Sequence, residues 1–212
     1  MTSQYERELR HVLAGIPTGV EAVIRSCSVE EKERMRLVLQ RPFLVVRAAG
    51  SGIEGSGDLL ALRGDVSFPI EVKTTKSKKI YFSGRTLDQY NALAYEGERC
   101  GLMPLYAHRL KGVRGDSWRI FRVETSTLEG RLSILARRIP SLPRTRKGRA
   151  FIDWDQGMPL NEFINIVCQQ NQDSPTLEYI QKRSHRREEE SEVEHVRPSI
   201  LDELQRRRTV IR

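Results

Sequence analysis

The chain of 212 residues has few of the side chains that hold zinc or form disulfides: only three cysteines and four histidines, all far apart. It contains no C-x-x-C pair and no zinc-type spacing, and an odd cysteine count argues against a disulfide framework. It also has no apolar run of membrane-spanning length, and its first residues are too polar for a signal peptide. We therefore expect a cytoplasmic protein with reduced thiols and no membrane partner.

The charge that is present is mostly positive. Lysine and arginine number 36 against 28 acidic residues, which gives a formal net charge of +8. Such an excess favours an anionic partner, and nucleic acid is preferred over a solvated basic surface with no target. Hydrophobic residues make up 38% of the chain, enough for one sizeable domain with an appendage.

Periodicity predicts helices first and then strands. Helical spacing covers "YERELRHVLAG", "VEAVIRSC", "SVEEKERMRLVLQ" and "RTLDQYNALAYEGERCG". In the third of these, Ser28 and Glu31 form a capping box. Strands are predicted at Phe43 to Arg47, in the hairpin arms 59–62 and 66–74, and in "KIYFS", "LMPLYAHRL" and "SWRIFRV". The order predicts an α/β fold with a mixed sheet.

The signal is weaker beyond residue 125. The basic, proline-containing "RRIPSLPRTRKGR" is predicted to be a loop or linker, and "GMPLNEFINIVCQQ" to be a helix. Charge dominates from residue 173 onward, which predicts a flexible or solvated tail. We thus divide the chain into a core at 1–124 with a helical insertion at about 16–42, an extension at 125–172 and a tail at 173–212.

The hairpin carries the residues with chemical interest. If Gly64 and Asp65 form a two-residue loop, Asp58 lies opposite Glu71. Cross-strand neighbours have Cβ atoms about 4.5–5.5 Å apart, and alternation places Glu71 and Lys73 on one face. Two facing carboxylates destabilise a sheet unless a cation lies between them, and oxygen ligands suit Mg²⁺ or Mn²⁺. The bland alternative is a hairpin edge on which Glu71 and Lys73 form a weak surface ion pair.

The surrounding sequence resembles the archaeal-type Holliday junction resolvases of the PD-(D/E)xK nuclease superfamily. The segments that carry this resemblance are, in order, "YERELRHVL", "FLVVRAAGSG", "GDLLAL" and "IEVKTTKSKKIYFS". It implies a restriction-endonuclease-like core, with a central mixed β-sheet flanked by helices, followed here by a mostly helical or disordered C-terminal extension. It also implies a homodimer that cuts branched DNA in recombination and repair with Mg²⁺, for which Mn²⁺ can substitute.

The same resemblance assigns the site residues. Asp58, Glu71 and the Val72 carbonyl correspond to metal ligands, and Lys73 to the residue that orients the attacking water. Arg47 and Ser51 correspond to DNA-binding positions near the scissile phosphate, with Ser51 also counted as catalytic. A glycine-rich loop can approach a phosphate closely, although a plain flexible turn explains Ser51 equally well. Gly57 stands where many relatives have proline, and we expect this position to be tolerant.

One further acid completes the implied site, and the sequence offers two candidates. Glu6 lies in a segment that copies the family's charged and apolar order, which makes it the preferred catalytic residue and metal ligand. Glu31 takes that place if the segment before Arg47 is aligned without a gap. Glu31 already has a local role as the capping-box acid, so we prefer Glu6.

Some assignments outside the site stay open. Lys76, Lys78 and Lys79 are predicted to contact DNA phosphates, with a solvated turn as the alternative. Gln89 resembles a glutamine near the site in some members of the superfamily, but an exposed helix residue is slightly favoured. The tail is a candidate contact for a replication or recombination protein. Other functions that the sequence allows are a different repair or restriction-type nuclease, a non-catalytic DNA-binding module, and a basic domain without a nucleic-acid role.

Overall fold

The computed structural model describes residues 4–48, 57–64 and 66–169. Among them are six α-helices: α1 (Gln4–Leu13), α2 (Pro17–Ile24), α3 (Val29–Gln40), α4 (Arg85–Cys100), α5 (Gly130–Ala136) and α6 (Leu160–Cys168). The strands are β1 (Leu44–Arg47), β2 (Leu59–Arg63), β3 (Val66–Thr75), β4 (Lys79–Tyr81), β5 (Leu105–Leu110), β6 (Trp118–Arg122), β7 (Phe151–Asp153) and β8 (Met158–Pro159). No helix within these ranges is long and apolar enough to cross a membrane.

The main sheet is mixed, as the sequence predicts. Its six strands lie in the order β1-β2-β3-β5-β6-β8, and only β3 and β5 pair in parallel. β4 and β7 form a separate antiparallel ribbon. The fold class is therefore confirmed for the part of the chain that the structure describes: a central mixed sheet with helices packed on it.

The sheet is covered on both faces, because alternate residues of its central strands enter two different cores. On β5, Leu105 and Ala107 belong to a large core with α1, α2, α3, α5 and α6, and Tyr106 belongs to a smaller core with α4 and the β4–β7 ribbon. β3 presents Phe68 and Ile70 to the large core. Glu71 and Lys73 alternate with these residues and therefore lie on the face of the smaller core.

The helices before the sheet form where capping and apolar spacing predict. Leu9, Val12 and Leu13 of α1 are buried in the large core. α3 begins after Ser28, whose hydroxyl accepts the Glu31 N–H while Glu31 accepts the Ser28 N–H, so the predicted capping box is present. α2 and α3 occupy the segment predicted as a helical insertion, and the domain boundaries themselves stay a prediction.

The segment after residue 125 contains more structure than its sequence predicts. The predicted helix is present as α6, but the short elements α5, β7 and β8 were not predicted. The interpretation of residues 137–149 as a plain loop is also incomplete, because bridges join Arg122 to Ser141 and Arg144 to Ala150. Strands of two or three residues are too short to show a period, which explains why the pattern missed them. The predicted tail lies outside the described residues.

Candidate active site

Glu71 and Lys73 form the centre of the candidate site on β3. The Lys73 Nζ donates a hydrogen bond of 2.7 Å to Glu71 Oε1. Glu71 is 5% exposed and Lys73 is partly buried, so the weak surface ion pair of the bland interpretation does not apply. A charged pair in this position is costly to bury, and ionisable groups perturbed in this way cluster at functional sites.

Asp58 joins this pair at the start of β2. The hairpin register runs from Arg63 opposite Val66 to Leu59 opposite Ile70, as a two-residue loop requires. The Asp58 N–H then donates to the Ile70 carbonyl at 2.8 Å, and Asp58 Oδ2 accepts the Val72 N–H at 2.8 Å. The carboxylate therefore binds the β3 backbone at this end of β2, beside Glu71.

Gly57 fixes the entry of the chain into this position. Its φ is +71°, and a Cβ built there would lie 2.7 Å from the Ile70 carbonyl oxygen. Only glycine adopts such a conformation without strain, and the backbone approach leaves no room for a side chain. The expectation that this position tolerates other residues is therefore wrong for this chain.

The pKa of Glu71 reflects the other carboxylates that lie near it. Burial raises the pKa of Glu71 above its usual value, and the negative charges of Asp58 and Glu6 raise it further. The Lys73 ammonium acts in the opposite direction but does not cancel the rise in the Glu71 pKa. Three carboxylates and one ammonium thus share one electrostatic site, where a cation would relieve the repulsion.

The two candidate third acids have different environments. Glu6, in the first turn of α1, is partly buried, its Oε2 atom is shielded from solvent, and its charge acts on Glu71. The Glu31 carboxylate accepts the Ser28 N–H at 2.7 Å and so serves the α3 N-terminus. The structure places Glu6, and not Glu31, in the electrostatic surroundings of Glu71.

Three further residues, to which the sequence pattern gives little weight, surround the Glu71–Lys73 pair. The sequence slightly favours an exposed helix residue at Gln89 of α4, but its Oε1 accepts a 3.0 Å hydrogen bond from Lys73 Nζ. Tyr106 and His108 of β5 lie beside Glu71 and Lys73 in the parallel register, and both are fully buried. Burial lowers the pKa of His108 to about 4, and its Nε2 is 3.1 Å from the Thr75 hydroxyl. These two rings form the interior wall of the site.

The predicted DNA-contacting residues lie at the ends of the strands. Arg47 is exposed at the end of β1, and Lys76 is exposed after β3. Lys78 pairs with Asp155 at 2.9 Å, and Lys79 pairs with Asp153 at 3.3 Å. These two lysines therefore form exposed ion pairs at the β4–β7 ribbon, which the sequence did not indicate. Ser51 lies outside the described residues.

The donor set fits a hard divalent cation. In the described ranges no three Asp, Glu, His or Cys side chains are grouped as in an assembled metal site. Asp58 and Glu71 nevertheless each direct one carboxylate oxygen to a donor and have a second oxygen for another ligand. Carboxylate oxygens suit Mg²⁺ and Mn²⁺, and a cation would offset the repulsion that raises the Glu71 pKa.

A mixed sheet with Asp58, Glu71 and Lys73 grouped under a helix is the arrangement implied by the PD-(D/E)xK nuclease resemblance. The chain belongs to the archaeal Holliday junction resolvase (Hjc) family, whose model matches residues 24–137, over half of the chain. The matched range includes Glu31, Asp58, Glu71 and Lys73 and begins after Glu6. Membership implies a DNA-binding endonuclease of recombination and repair whose substrate is branched DNA.

Two further comparisons accompany the family match. The solved structure of Hjc from Archaeoglobus fulgidus, a Holliday junction resolvase from an archaeal hyperthermophile, superposes with a TM-score of 0.41 at 22% identity. That alignment covers 63% of this chain and 96% of the Archaeoglobus chain. No curated protein matches the sequence.

Proposed function

We propose that this chain is a metal-dependent endonuclease that cuts four-way DNA junctions by hydrolysing phosphodiester bonds at the site of Asp58, Glu71 and Lys73. The observation that carries the proposal is the burial of Glu71 among two other carboxylates and the Lys73 ammonium. Buried like charges are costly without a function that uses them. Family membership indicates the class of substrate. The three carboxylates and the Lys73 ammonium would carry out the hydrolysis.

Each residue has a role in this proposal. Asp58, Glu71 and Glu6 would hold Mg²⁺ or Mn²⁺ with the Val72 carbonyl, and the bound ion would supply Lewis-acid stabilisation of the phosphate charge. Lys73, fixed by Glu71 and Gln89, donates a hydrogen bond to the attacking water and orients it. The water oxygen bonds to phosphorus and the opposite P–O bond breaks. The attacking water releases its proton to solvent, and the leaving oxygen takes up a proton from solvent.

Arg47, Ser51, Lys76, Lys78 and Lys79 are proposed to position the DNA through its phosphates. Lys78 and Lys79 would do so from positions already fixed by Asp155 and Asp153. Such contacts carry no sequence information, so the preference for branched DNA would come from shape and deformability.

A homodimer is also proposed, because the family resemblance implies one and two sites would act on symmetric arms of a junction. Leu44 and Val46 on the edge strand β1 are 68% and 46% exposed, which makes this strand a candidate contact. Sedimentation of the full chain measures its oligomeric state. Leu44→Lys should shift the chain toward monomer if β1 forms part of the dimer contact.

The deciding experiment compares nicking of a fluorescent four-way junction and a matched linear duplex in Mg²⁺. We expect junction-specific cutting by the natural chain and by Glu33→Gln, which changes an exposed acid on α3. Glu71→Gln should abolish cutting and retain junction binding. Binding without cutting by the natural chain would support a binding module, and equal cutting of linear duplex would support another type of nuclease.

The same assay distinguishes the two candidate third acids. Glu6→Gln should lose cutting, because the Glu6 charge acts on Glu71. Glu31→Gln should retain both cutting and stability, because a glutamine side-chain oxygen still accepts the Ser28 N–H and keeps the capping box. The opposite result would assign the third ligand to Glu31. As an independent readout, Mg²⁺ should raise the melting temperature of the natural chain and not that of Glu71→Gln.

A further inference from the structure

A second surface with features of a DNA contact lies on the β4–β7 ribbon. Tyr81 of β4 is 60% exposed, and its ring stacks on that of Phe151, its register partner on β7, at 5.2 Å and 18°. One side of the tyrosine ring is thus supported by protein while much of the residue remains open to solvent. An exposed, rigidly backed aromatic ring is the element on which an unpaired base stacks.

A cavity of about 340 Å³ lies beside this ring. Its lining combines apolar residues with three cations, Arg146, Lys147 and Arg149. All three are exposed, and none has an acidic partner among the residues that the structure describes. Ligand pockets begin at about 300 Å³, so the volume suffices for a group the size of a base or nucleotide.

The loop that carries these cations has a defined conformation. Arg144 donates to Glu124 Oε2 at 2.7 Å and to the Gly148 carbonyl at 3.1 Å. Thr145 and Arg149 are joined by a backbone hydrogen bond of 2.8 Å, and Gly148 closes the turn with φ +77°. The cations are therefore presented by a fixed turn, which lowers the entropy cost of binding.

The cavity is on the same side of the sheet as the candidate active site. Phe82 lines the cavity and packs against Tyr106 at a ring distance of 5.1 Å. Tyr106 lies opposite Glu71 in the parallel register of β3 and β5. Phe82 and Tyr106 both belong to the smaller core, so both places adjoin the face of the sheet that this core covers. The loop and β7 follow residue 137, where the family match ends, so this surface is formed with a segment outside the matched range.

We propose that this cavity binds an unpaired nucleotide of the DNA substrate, with the base stacked on Tyr81 and the flanking phosphates bound by Arg146, Lys147 and Arg149. The inference rests on the proposed function for its partner and adds a site for single-stranded character near the junction. An acidic peptide would satisfy the cations but would leave the stacked aromatic pair without a role.

The test uses the full chain and a ten-nucleotide single-stranded DNA with a central 2-aminopurine, in EDTA so that no cutting occurs. We expect the natural chain to quench the fluorescence on binding. Tyr81→Leu should lose the quench and weaken binding about fivefold or more, within the range for base–aromatic stacking. Tyr81→Phe, which keeps the ring, should retain both. Tyr95→Leu removes a tyrosine that is 66% exposed on α4, and it should have no effect.

The cations are tested separately. The double variant Arg146→Gln/Lys147→Gln should weaken binding and reduce the slope of log K against log salt by about 1.4, the value for two phosphate contacts on a single strand. Arg137→Gln/Arg138→Gln removes two exposed charges outside the cavity and should leave the slope unchanged. Equal losses in both double variants would overturn the cation part of the proposal.

A quench by Tyr81→Leu equal to that of the natural chain would overturn the nucleotide site, whatever the chain does to junctions. Nicking of a four-way junction in Mg²⁺ is measured on the same preparations. If the natural chain fails to nick while Tyr81 still controls the quench, the proposed function fails and the nucleotide site stands. The fluorescence quench therefore tests the nucleotide site, and junction nicking tests the proposed function separately.

Discussion

Lys73 depends on two acceptors, and the second is the residue that sequence reasoning undervalued. Its Nζ donates to Glu71 at 2.7 Å and to Gln89 at 3.0 Å, so the ammonium is held between the sheet and α4. A group that acts on a water must be fixed in direction, because misplacement of about 1 Å lowers rates strongly. Gln89 is thus a positioning residue for the proposed reaction.

We expect Gln89→Leu to lower kcat for junction cutting about tenfold and to leave the affinity for the junction unchanged, because the loss of a supporting hydrogen bond affects orientation rather than binding. Gln89→Glu, which keeps an acceptor oxygen, should retain more activity. Asn91→Leu changes an exposed amide on the same helix and is the matched control. A fall in affinity with unchanged kcat would instead assign Gln89 to DNA contact.

The burial of His108 predicts that the stability of the fold depends on pH. His108 is fully buried, and burial lowers its pKa to about 4. The unfolded chain therefore binds a proton at higher pH than the folded chain, so stability falls as pH drops from about 6.5 toward 4 and the effect ends below that pH. His108→Gln should remove about 2 kcal/mol of this loss between pH 7 and pH 4.5. Urea midpoints at both pH values measure it, with His11→Gln as the control.

At the scale of elements, the hairpin was predictable and its surroundings were only partly so. A two-residue loop fixes an antiparallel register, so the placement of Asp58 beside Glu71 followed from counting. The positions of Tyr106 and His108 could not be counted, because β3 and β5 are parallel and joined by a long crossover whose length sets no register. The contact between Gln89 and Lys73 could not be counted for the same reason, since Gln89 lies on α4 within that crossover.

Glu6, the preferred candidate for the third acid, shows the same limit at another connection. The resemblance favoured Glu6, but only the packing of α1 on the sheet brings its charge to Glu71. The helix spacing of Leu9, Val12 and Leu13 predicted which side of α1 is buried, and it did not predict which strand that side covers. Amphipathic patterns indicate an interior face and leave its partner undefined.

The start of β2 depends on Gly57, and this dependence can be tested. Gly57→Ala would place a Cβ 2.7 Å from the Ile70 carbonyl oxygen at a φ of +71°. We expect a loss of about 1–3 kcal/mol in the free energy of unfolding, and a fall in junction cutting, because Asp58 follows directly. Gly64→Ala is the control, since a Cβ added at Gly64 would meet no atom within 4 Å and its φ is not positive. Equal stability of the two variants would contradict this account.

On the scale of the whole molecule, the core does not end where the family match ends. α6 lies beyond residue 137, yet Leu160, Phe163, Ile164 and Val167 enter the large core. Asp116, before β6, accepts two hydrogen bonds from Asn161, one from the backbone at 2.8 Å and one from the side chain at 2.9 Å. The extension is thus part of what holds the sheet and the site in place.

Phe163 is the residue on which this link can be measured. It is 1% exposed, and its ring packs on Phe68 at 5.7 Å, with Phe68 on the same strand as Glu71. Phe163→Ala should lower the free energy of unfolding by about 3–5 kcal/mol, because the cavity opens in the large core. Ile134→Ala removes a side chain that is 51% exposed on α5 and should cost about 0.5 kcal/mol or less. Denaturant unfolding of the full chain measures both. A loss of under about 1 kcal/mol in Phe163→Ala would mean that α6 only covers a sheet that is stable without it.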